Sequence, residues 1–404
     1  MIKRCAREGE MSGYYYRESS NKYIVYMTDF AENSFKENGE NNYLNPMIYS
    51  SSIFVIQAIN HFFSTTLKEE CGNDASGFSN NLTVNIVSVN RRAFKIISRI
   101  LTHFTQFNVS LKPVDKTVDL YEITIDTNES LYHLINFAFV FFTMLMSFEN
   151  TDFFRDDAYV TKLVVCINKI DTPFYVRYLI GSQILTKSQF MSCKSDLERI
   201  SGHTCKLAMG TTAQQRQRHI ASILTFDKPI IDIGCGEGDY AIPFSVKIGD
   251  NQYYAIDTDA TELEKLQKKM DTKDIKNITL YNNFEEFLKT YSGEKMNVIV
   301  TEVIEHMGVD SARSLLLDAL KLNFDKMVIT TPNVEFNKHY MLEGKFRHDD
   351  HKYEMTRIEF EKFITTIMNE IDVDKVKFTY KYISIGDMVD DVSTTQGYLV
   401  EKLV

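Results

Sequence analysis

Ile230-Ile231-Asp232-Ile233-Gly234-Cys235-Gly236-Glu237-Gly238-Asp239 decides the fold of the carboxyl-terminal half: an apolar run feeds a turn with glycine at every second position. The run reads as a buried strand, and the glycines let the backbone turn sharply and approach a bound molecule. Their two steps of two differ from the step of two and then three in the dinucleotide fingerprint, which argues against a pyrophosphate cradle. Outward from this stretch, strands near 229–233, 252–257, 277–281, 296–301 and 326–331 alternate with helical stretches such as Thr261–Met270 and Ser311–Leu322. That alternation predicts a mostly parallel sheet with helices on both faces. Segments 374–383 and 395–403 read as a closing antiparallel hairpin.

The strand near 296–301 runs into Thr301-Glu302-Val303-Ile304-Glu305-His306-Met307. Glu302, Glu305 and His306 stand at i, i+3 and i+4, so on a helix they would share one face. At the carboxyl edge of the sheet they would occupy the usual ligand position of open α/β folds. Two carboxylates with an imidazole suit Mg²⁺ or Mn²⁺, and the nitrogen ligand also admits Fe²⁺ or Co²⁺. Singly, each has a plain structural reading: a solvated helix face for the glutamates, a helix-start contact for His306, a loop position for His351 downstream.

The first half reads as a mixed α/β domain without a catalytic cluster. Ser51–Phe63 and Arg91–Phe104 carry helical spacing, Leu82–Val89 and Asp119–Ile125 read as strands, and Glu129–Phe148 as a buried helix. The apolar run Leu134–Phe148 contains Asn136, Thr143 and Ser147 and falls short of the roughly 20 residues of a membrane span. A polar helical stretch through Gln214-Gln215-Arg216-Gln217-Arg218-His219 follows, and the domain boundary is placed at 203, giving 1–203 and 204–404.

Composition bounds the function. A net charge of −10 over 404 residues argues against indiscriminate coating of nucleic acid, which draws on many Lys and Arg. Six scattered cysteines form no CxxC pair, so they are expected to be reduced and the chain cytoplasmic. The amino terminus lacks the apolar core of a secretory signal, and neither export nor membrane association is expected.

The D-x-G-x-G-x-G arrangement, with Asp257 ending the next strand, resembles the first motif of class I, Rossmann-like, S-adenosylmethionine-dependent methyltransferases. This resemblance implies a seven-stranded sheet and cofactor contacts from Asp232, Gly234, Gly236, Glu237 and Gly238, with Asp257 on the ribose hydroxyls. Asp232 and Glu237 are placed near the cofactor's amino and hydroxyl groups, and Asn282 and Asn283 near the adenine. The alternative is a glycine turn in an unrelated α/β fold with Asp257 capping the next helix.

Three blocks together are more specific: Glu302-Val303-Ile304-Glu305-His306, then Thr331-Pro332-Asn333-Val334-Glu335-Phe336-Asn337, then Asp350-His351-Lys352-Tyr353-Glu354-Met355-Thr356-Arg357. They resemble the small-RNA 3′-terminal ribose 2′-O-methyltransferases, whose pattern reads approximately E-V-I-E-H, T-P-N-x-E-[FY]-N and D-H-[KR]-[FY]-E-W-T-R. The resemblance implies Glu302, Glu305, His306 and His351 as ligands of Mg²⁺ or Mn²⁺, and Asn333, Asn337 and Arg347 around the substrate pocket. His348, outside that ligand set, is a candidate for accepting the proton. Lys338, Lys345, Arg347, Lys352 and Arg357 could hold phosphates of the last nucleotides, or form a solvated loop. Met355 stands where the family has tryptophan, and Tyr281-Asn282-Asn283-Phe284-Glu285-Glu286 replaces the family's G-S-x-x-Y-x-D segment. Thr356-Arg357-Ile358-Glu359 fits a capping box.

The first half resembles, more loosely, the amino-terminal domain of the bacterial RNA-repair members, through Tyr43-Leu44-Asn45-Pro46-Met47-Ile48-Tyr49-Ser50-Ser51-Ser52. The implied substrate is RNA with a free 3′-terminal 2′,3′-diol and not DNA, since a 2′-hydroxyl distinguishes the two. The implied partner is a kinase, phosphatase and ligase that repairs RNA. Competing readings are a methyltransferase for small diols and an assembly subunit that activates a ligase.

Overall fold

The computed structural model describes residues 2–5, 11–16, 22–27, 50–74, 77–117, 119–149, 156–342, 344–371 and 377–403. It divides into two units, Met1–Ser201 and Gly202–Val404. In the first unit, strands Ile2–Cys5, Met11–Tyr16 and Lys22–Met27 form one antiparallel sheet, and Leu120–Thr127 lies between Asn80–Ser88 and Phe107–Asp115 in another. Helix Leu131–Met146 is buried at every residue but Leu131 and His133. Its polar residues bond inside it: Asn136 Nδ2 donates to the Tyr132 carbonyl at 2.9 Å and Thr143 Oγ1 to that of Phe139 at 2.7 Å. Those bonds offset part of the cost of burying them, Asn136 Oδ1 having no partner among the described residues, and the apolar run is a core helix. Among the described residues no helix is long and apolar enough to cross a membrane.

Phe107–Asp115 was not evident from the sequence. Among the described residues it pairs on one side only, it is buried only at Phe107, and it carries Pro113, which an edge strand tolerates. Ser51 caps helix Ser52–Phe62 by accepting from Ile53 N. Tyr43–Tyr49, which carried part of the resemblance, lies outside the described residues.

In the second unit we number the strands β1 His203–Lys206, β2 Ile230–Ile233, β3 Tyr253–Ile256, β4 Ile278–Tyr281, β5 Met296–Thr301, β6 Phe324–Pro332, β7 Lys377–Val389 and β8 Val392–Leu403. Their order is β4-β3-β2-β5-β6-β8-β7-β1. β4 through β6 are parallel, whereas β8, β7 and β1 join antiparallel. The closing hairpin is β7–β8, and the short β1 pairs with β7 beyond the seven strands that the resemblance implied.

Successive residues of a strand face opposite sides, and β5 shows it. Val298 and Val300 pack with helices Val309–Leu320 and Arg357–Glu370, while Ile299 packs with Ile220, Phe244 and Leu266 of the helices on the other face. Both faces are covered, which is why these strands read as continuous apolar runs. β2 pairs with β3 on one side and β5 on the other, so the chain reverses direction along the sheet between β2 and β5. With Ile233 opposite Val300, the glycine loop after β2 and the Glu302 turn after β5 emerge side by side, at the switch point where such sheets bind ligands.

Candidate active site

The three loop glycines divide by function. Gly234 and Gly238 have φ of +79° and +88°, and a Cβ there would fall 2.3 Å from Val303 Cγ2 and 2.4 Å from Leu266 Cδ1. They are glycine so that the turn can pack. Gly236, with φ +52°, has open space where its Cβ would be, and its amide donates to Asp257 Oδ2 at 2.7 Å. Asp257, just past β3, also accepts from Asp259 N at 2.9 Å. The cap of helix Ala260–Lys273 is Asp259, so the capping role once open to Asp257 belongs to its neighbour.

Asp232 and Glu237, expected beside the cofactor, each have a partner within the chain. Asp232 is fully buried, its Oδ2 accepts from Tyr253 Oη at 2.8 Å, and Oδ1 has no partner among the described residues. Burial raises its pKa to about 7, against the bond from Tyr253. Glu237 is exposed and pairs with Lys269 at 3.1 Å. Asn283 caps helix Phe284–Thr290, and Asn282 Nδ2 donates to Glu286.

The turn after β5 departs from the expected helix face. Glu302 N continues the ladder by donating to the Thr330 carbonyl at 3.0 Å, then Glu302 adopts φ +55° and only Ile304–His306 forms a 3₁₀ turn. This left-handed step takes Glu302 off the helix face expected for it with Glu305 and His306. Glu302 Oε1 accepts from Thr330 Oγ1 at 3.0 Å and Oε2 lies 3.2 Å from Arg216 Nη1. Arg216, with nothing in the sequence to single it out, also donates to Tyr240 Oη at 2.9 Å.

Glu305, His306 and His351 do converge, with ligand atoms all within 4.8 Å of one another. Glu305 is fully buried; Oε2 accepts from Thr331 Oγ1 at 3.1 Å and Oε1 has no partner among the described residues. Burial, then the neighbouring Glu302 charge, pushes its carboxyl well above the ordinary range. The imidazoles of His306 and His351 meet edge-on, 4.7 Å between centroids. His351 Nδ1 bonds Glu354 Oε1 at 2.6 Å and His306 Nδ1 lies 2.9 Å from Asp350 Oδ2, leaving each Nε2 to act as a ligand. An orphaned buried carboxylate oxygen facing two such imidazoles is the donor set of a divalent cation, so these residues fit the implied metal. His348 is exposed and bonds the other oxygen of Asp350 at 2.6 Å.

The loop carrying His351 is stitched to the sheet. Lys352 N donates to the Glu305 carbonyl at 2.7 Å, and Val334 N and Gln396 Nε2 both donate to the Met355 carbonyl. Thr356 and Glu359 form the expected capping box for helix Arg357–Glu370. Met355, 8% exposed, packs in the core with Ile304 and Phe360, so the position that is tryptophan elsewhere is a packing element.

Asn333 and Asn337, expected around the substrate pocket, are instead buried scaffold at 2% and 3% exposure. Asn333 Oδ1 accepts from Glu335 N at 3.0 Å, and Asn337 Nδ2 donates to Glu354 Oε2 at 2.6 Å. Arg347 is likewise engaged: Nε donates to Asn337 Oδ1 at 2.8 Å and Nη2 to the Asn333 carbonyl at 2.7 Å. The side chains of Lys338, Lys345, Lys352 and Arg357 remain exposed, with the Arg357 guanidinium 4.6 Å from the Tyr382 ring centroid. Glu354, absent from the expected site, organises it, for it holds His351, Arg347 N and Asn337 together. Its place three residues after His351 in the quoted motif was the signal.

The Hen1 N-terminal domain family matches residues 1–202, and a methyltransferase domain family matches 230–322. The chain belongs to the Hen1 family. The methyltransferase match of this Hen1-family chain spans the glycine loop and the Glu302–His306 turn. The small RNA 2'-O-methyltransferase of Caenorhabditis elegans is 30% identical over 103 residues, 25% of this chain and 21% of that protein. The small RNA 2'-O-methyltransferase of Schizosaccharomyces pombe is 26% identical over 207 residues, 44% of this chain and 53% of that one. The chain thus spans about a fifth and about half of these two relatives' lengths. A chain of the Pnkp1/Rnl/Hen1 RNA repair complex shares the fold, with a TM-score of 0.78 at 22% identity over 99% of this chain and 94% of that one.

Proposed function

We propose that the chain transfers a methyl group from S-adenosylmethionine to the 2′-hydroxyl of the 3′-terminal nucleotide of RNA, in RNA repair or protection of small-RNA ends. The observation that carries this reading is the convergence of Glu305, His306 and His351 at the switch point beside a glycine loop with open space at Gly236. S-adenosylmethionine would lie on Gly234, Gly236 and Gly238 near Asp257, and would supply the electrophilic methyl. Mg²⁺ or Mn²⁺ would be held by Glu305, His306 and His351, with Glu302 as fourth ligand, and would lower the pKa of a ribose hydroxyl.

This chain's residues then divide the remaining work. Glu354 and Asp350 fix the orientation of His351 and His306. Exposed His348 is positioned by Asp350 to accept a proton at Nε2. Exposed Lys338, Lys345, Lys352 and Arg357 supply a local positive surface for the terminal phosphates. Arg347, Asn333 and Asn337 hold the loop that presents these groups.

Labelled-methyl transfer tests the reading. Incorporation is expected into RNA ending in a 2′,3′-diol and absent after periodate treatment or with a 2′-deoxy end. Transfer to small diols alone would rule it out. The shared fold with a chain of an RNA repair complex supports a second role: residues 1–203 bind or activate a kinase, phosphatase and ligase partner while 204–404 methylate. Co-purification of the full chain with such a ligase, lost on deleting 1–203, tests that role.

A further inference from the structure

Helix Thr212–Ile223 brings to the ligand turn a side chain that no motif marks. Arg216 is 13% exposed at its side chain, and its Nη1 lies 3.2 Å from Glu302 Oε2. Its Nε donates to Tyr240 Oη at 2.9 Å, next to the first residue of helix Ala241–Lys247. Burial opposes the guanidinium's charge, but Glu302, Tyr240 and Glu305 more than offset it and raise its pKa. With Thr330 Oγ1 3.0 Å from the other oxygen, both oxygens of Glu302 are occupied. Glu302 accordingly stands outside the group formed by Glu305, His306 and His351.

We infer that Arg216 is a positioning residue that restrains Glu302 away from the metal cluster and gives its carboxylate up when a cation binds, so that Arg216 lowers the site's affinity for the ion. The inference rests on the metal reading above. A guanidinium and a divalent cation compete for the same carboxylate, and in a poorly screened site each raises the energy of the other. The left-handed backbone at Glu302 and its bond to Thr330 fix where the carboxylate starts; Tyr240 fixes where the competitor starts. A residue that merely supported the turn would have the opposite sign, because its loss would weaken the site.

The test is a Mn²⁺ titration of the full chain, read by electron paramagnetic resonance of the free ion, for wild type, Arg216→Gln, Arg216→Lys and His351→Ala, with folding verified by circular dichroism. Arg216→Gln is expected to bind Mn²⁺ on the order of tenfold more tightly. Arg216→Lys, which keeps the charge but loses the guanidinium fork, is expected to tighten binding by less. Unchanged or weaker binding in whichever variant folds, with the wild type binding at a site that His351→Ala abolishes, overturns the inference. A wild type with no Mn²⁺ site sensitive to His351→Ala overturns the metal reading on which it rests.

Discussion

Two loops leave the sheet side by side, and they are built from different parts of the chain. After β2, the work is done by backbone: three positive-φ glycines shape a turn whose amide at Gly236 reaches Asp257. After β5, the work is done by side chains, each backed by another: Glu305 by Thr331, His351 by Glu354, His306 by Asp350, Glu302 by Arg216 and Thr330. A backbone site is specified locally, because few residues other than glycine adopt those dihedrals cheaply. A side-chain site depends on partners that the chain supplies from far away.

The largest effect should come from the side-chain site. His351→Ala or Glu305→Gln removes a proposed ligand and is expected to lower methyl transfer to RNA by about 10³-fold, since Lewis-acid assistance is worth several kcal/mol. Stability should move the other way for Glu305→Gln. The wild-type carboxyl is fully buried with an orphaned oxygen, and burial holds its pKa well above the ordinary range; at neutral pH folding must desolvate its charge or protonate it, and a neutral amide removes that cost. Thermal denaturation in chelator checks this. A metal-free Glu305→Gln protein less stable than wild type would mean that Glu305 is a structural residue and that the contrast between the loops is false.

Next in size is the support of the ligands. Glu354→Ala removes the partner of His351 Nδ1 and frees Asn337 and Arg347 N. Loss of such a partner costs about 10–100-fold in metal affinity. A Mn²⁺ titration that moves less than threefold would show that the ring of His351 is held by the loop alone.

That hierarchy explains what was legible in the sequence. The strands of the second unit were, because both faces of the sheet are covered and apolar runs mark them. The glycine loop was, because its conformation requires its residue types. The convergence of Glu305, His306 and His351 was legible only as motif positions, since Glu305 and His306 meet His351 through a loop tied to the sheet by Lys352 and Met355. The left-handed turn at Glu302 was not, because nothing local announces positive φ at a glutamate. Nor was Arg216, whose neighbour Arg218 looks identical in sequence yet donates to the Met209 carbonyl. Asn333 and Asn337 carry polar groups suited to a substrate, and only burial shows that they serve the scaffold.

The backbone loop can be split by comparing two of its glycines. Gly238→Ala would combine φ +88° with a Cβ 2.4 Å from Leu266, and should cost roughly 3 kcal/mol or more of stability. Gly236→Ala, at φ +52° with open space ahead, should cost only about 1–2 kcal/mol. Its added methyl would nevertheless stand on the open side of the loop and weaken S-adenosylhomocysteine binding. Urea midpoints and calorimetric affinities separate the two. Equal losses of stability would mean that Leu266 moves aside and that the loop is less tightly specified than its glycines imply.

Beneath that loop, a side chain intrudes on the backbone design. Asp232 is fully buried with only Oδ2 bonded, and burial lifts its pKa from 3.8 to about 7. The folded chain therefore keeps a proton between those values that the unfolded chain has lost, so stability falls as pH rises through that window and levels off above it. Between pH 5 and pH 8 the difference should amount to roughly 2–3 kcal/mol, and it should vanish in Asp232→Asn. Urea midpoints at the two pH values give the comparison; parallel profiles for the two proteins would place the titration elsewhere. The same variant locates the boundary between the two kinds of site. If Asp232→Asn leaves S-adenosylhomocysteine affinity intact, the carboxylate is a buried prop for Tyr253 and the loop binds through backbone; if affinity falls, the carboxylate reaches the cofactor despite its burial, and the loop too depends on a side chain.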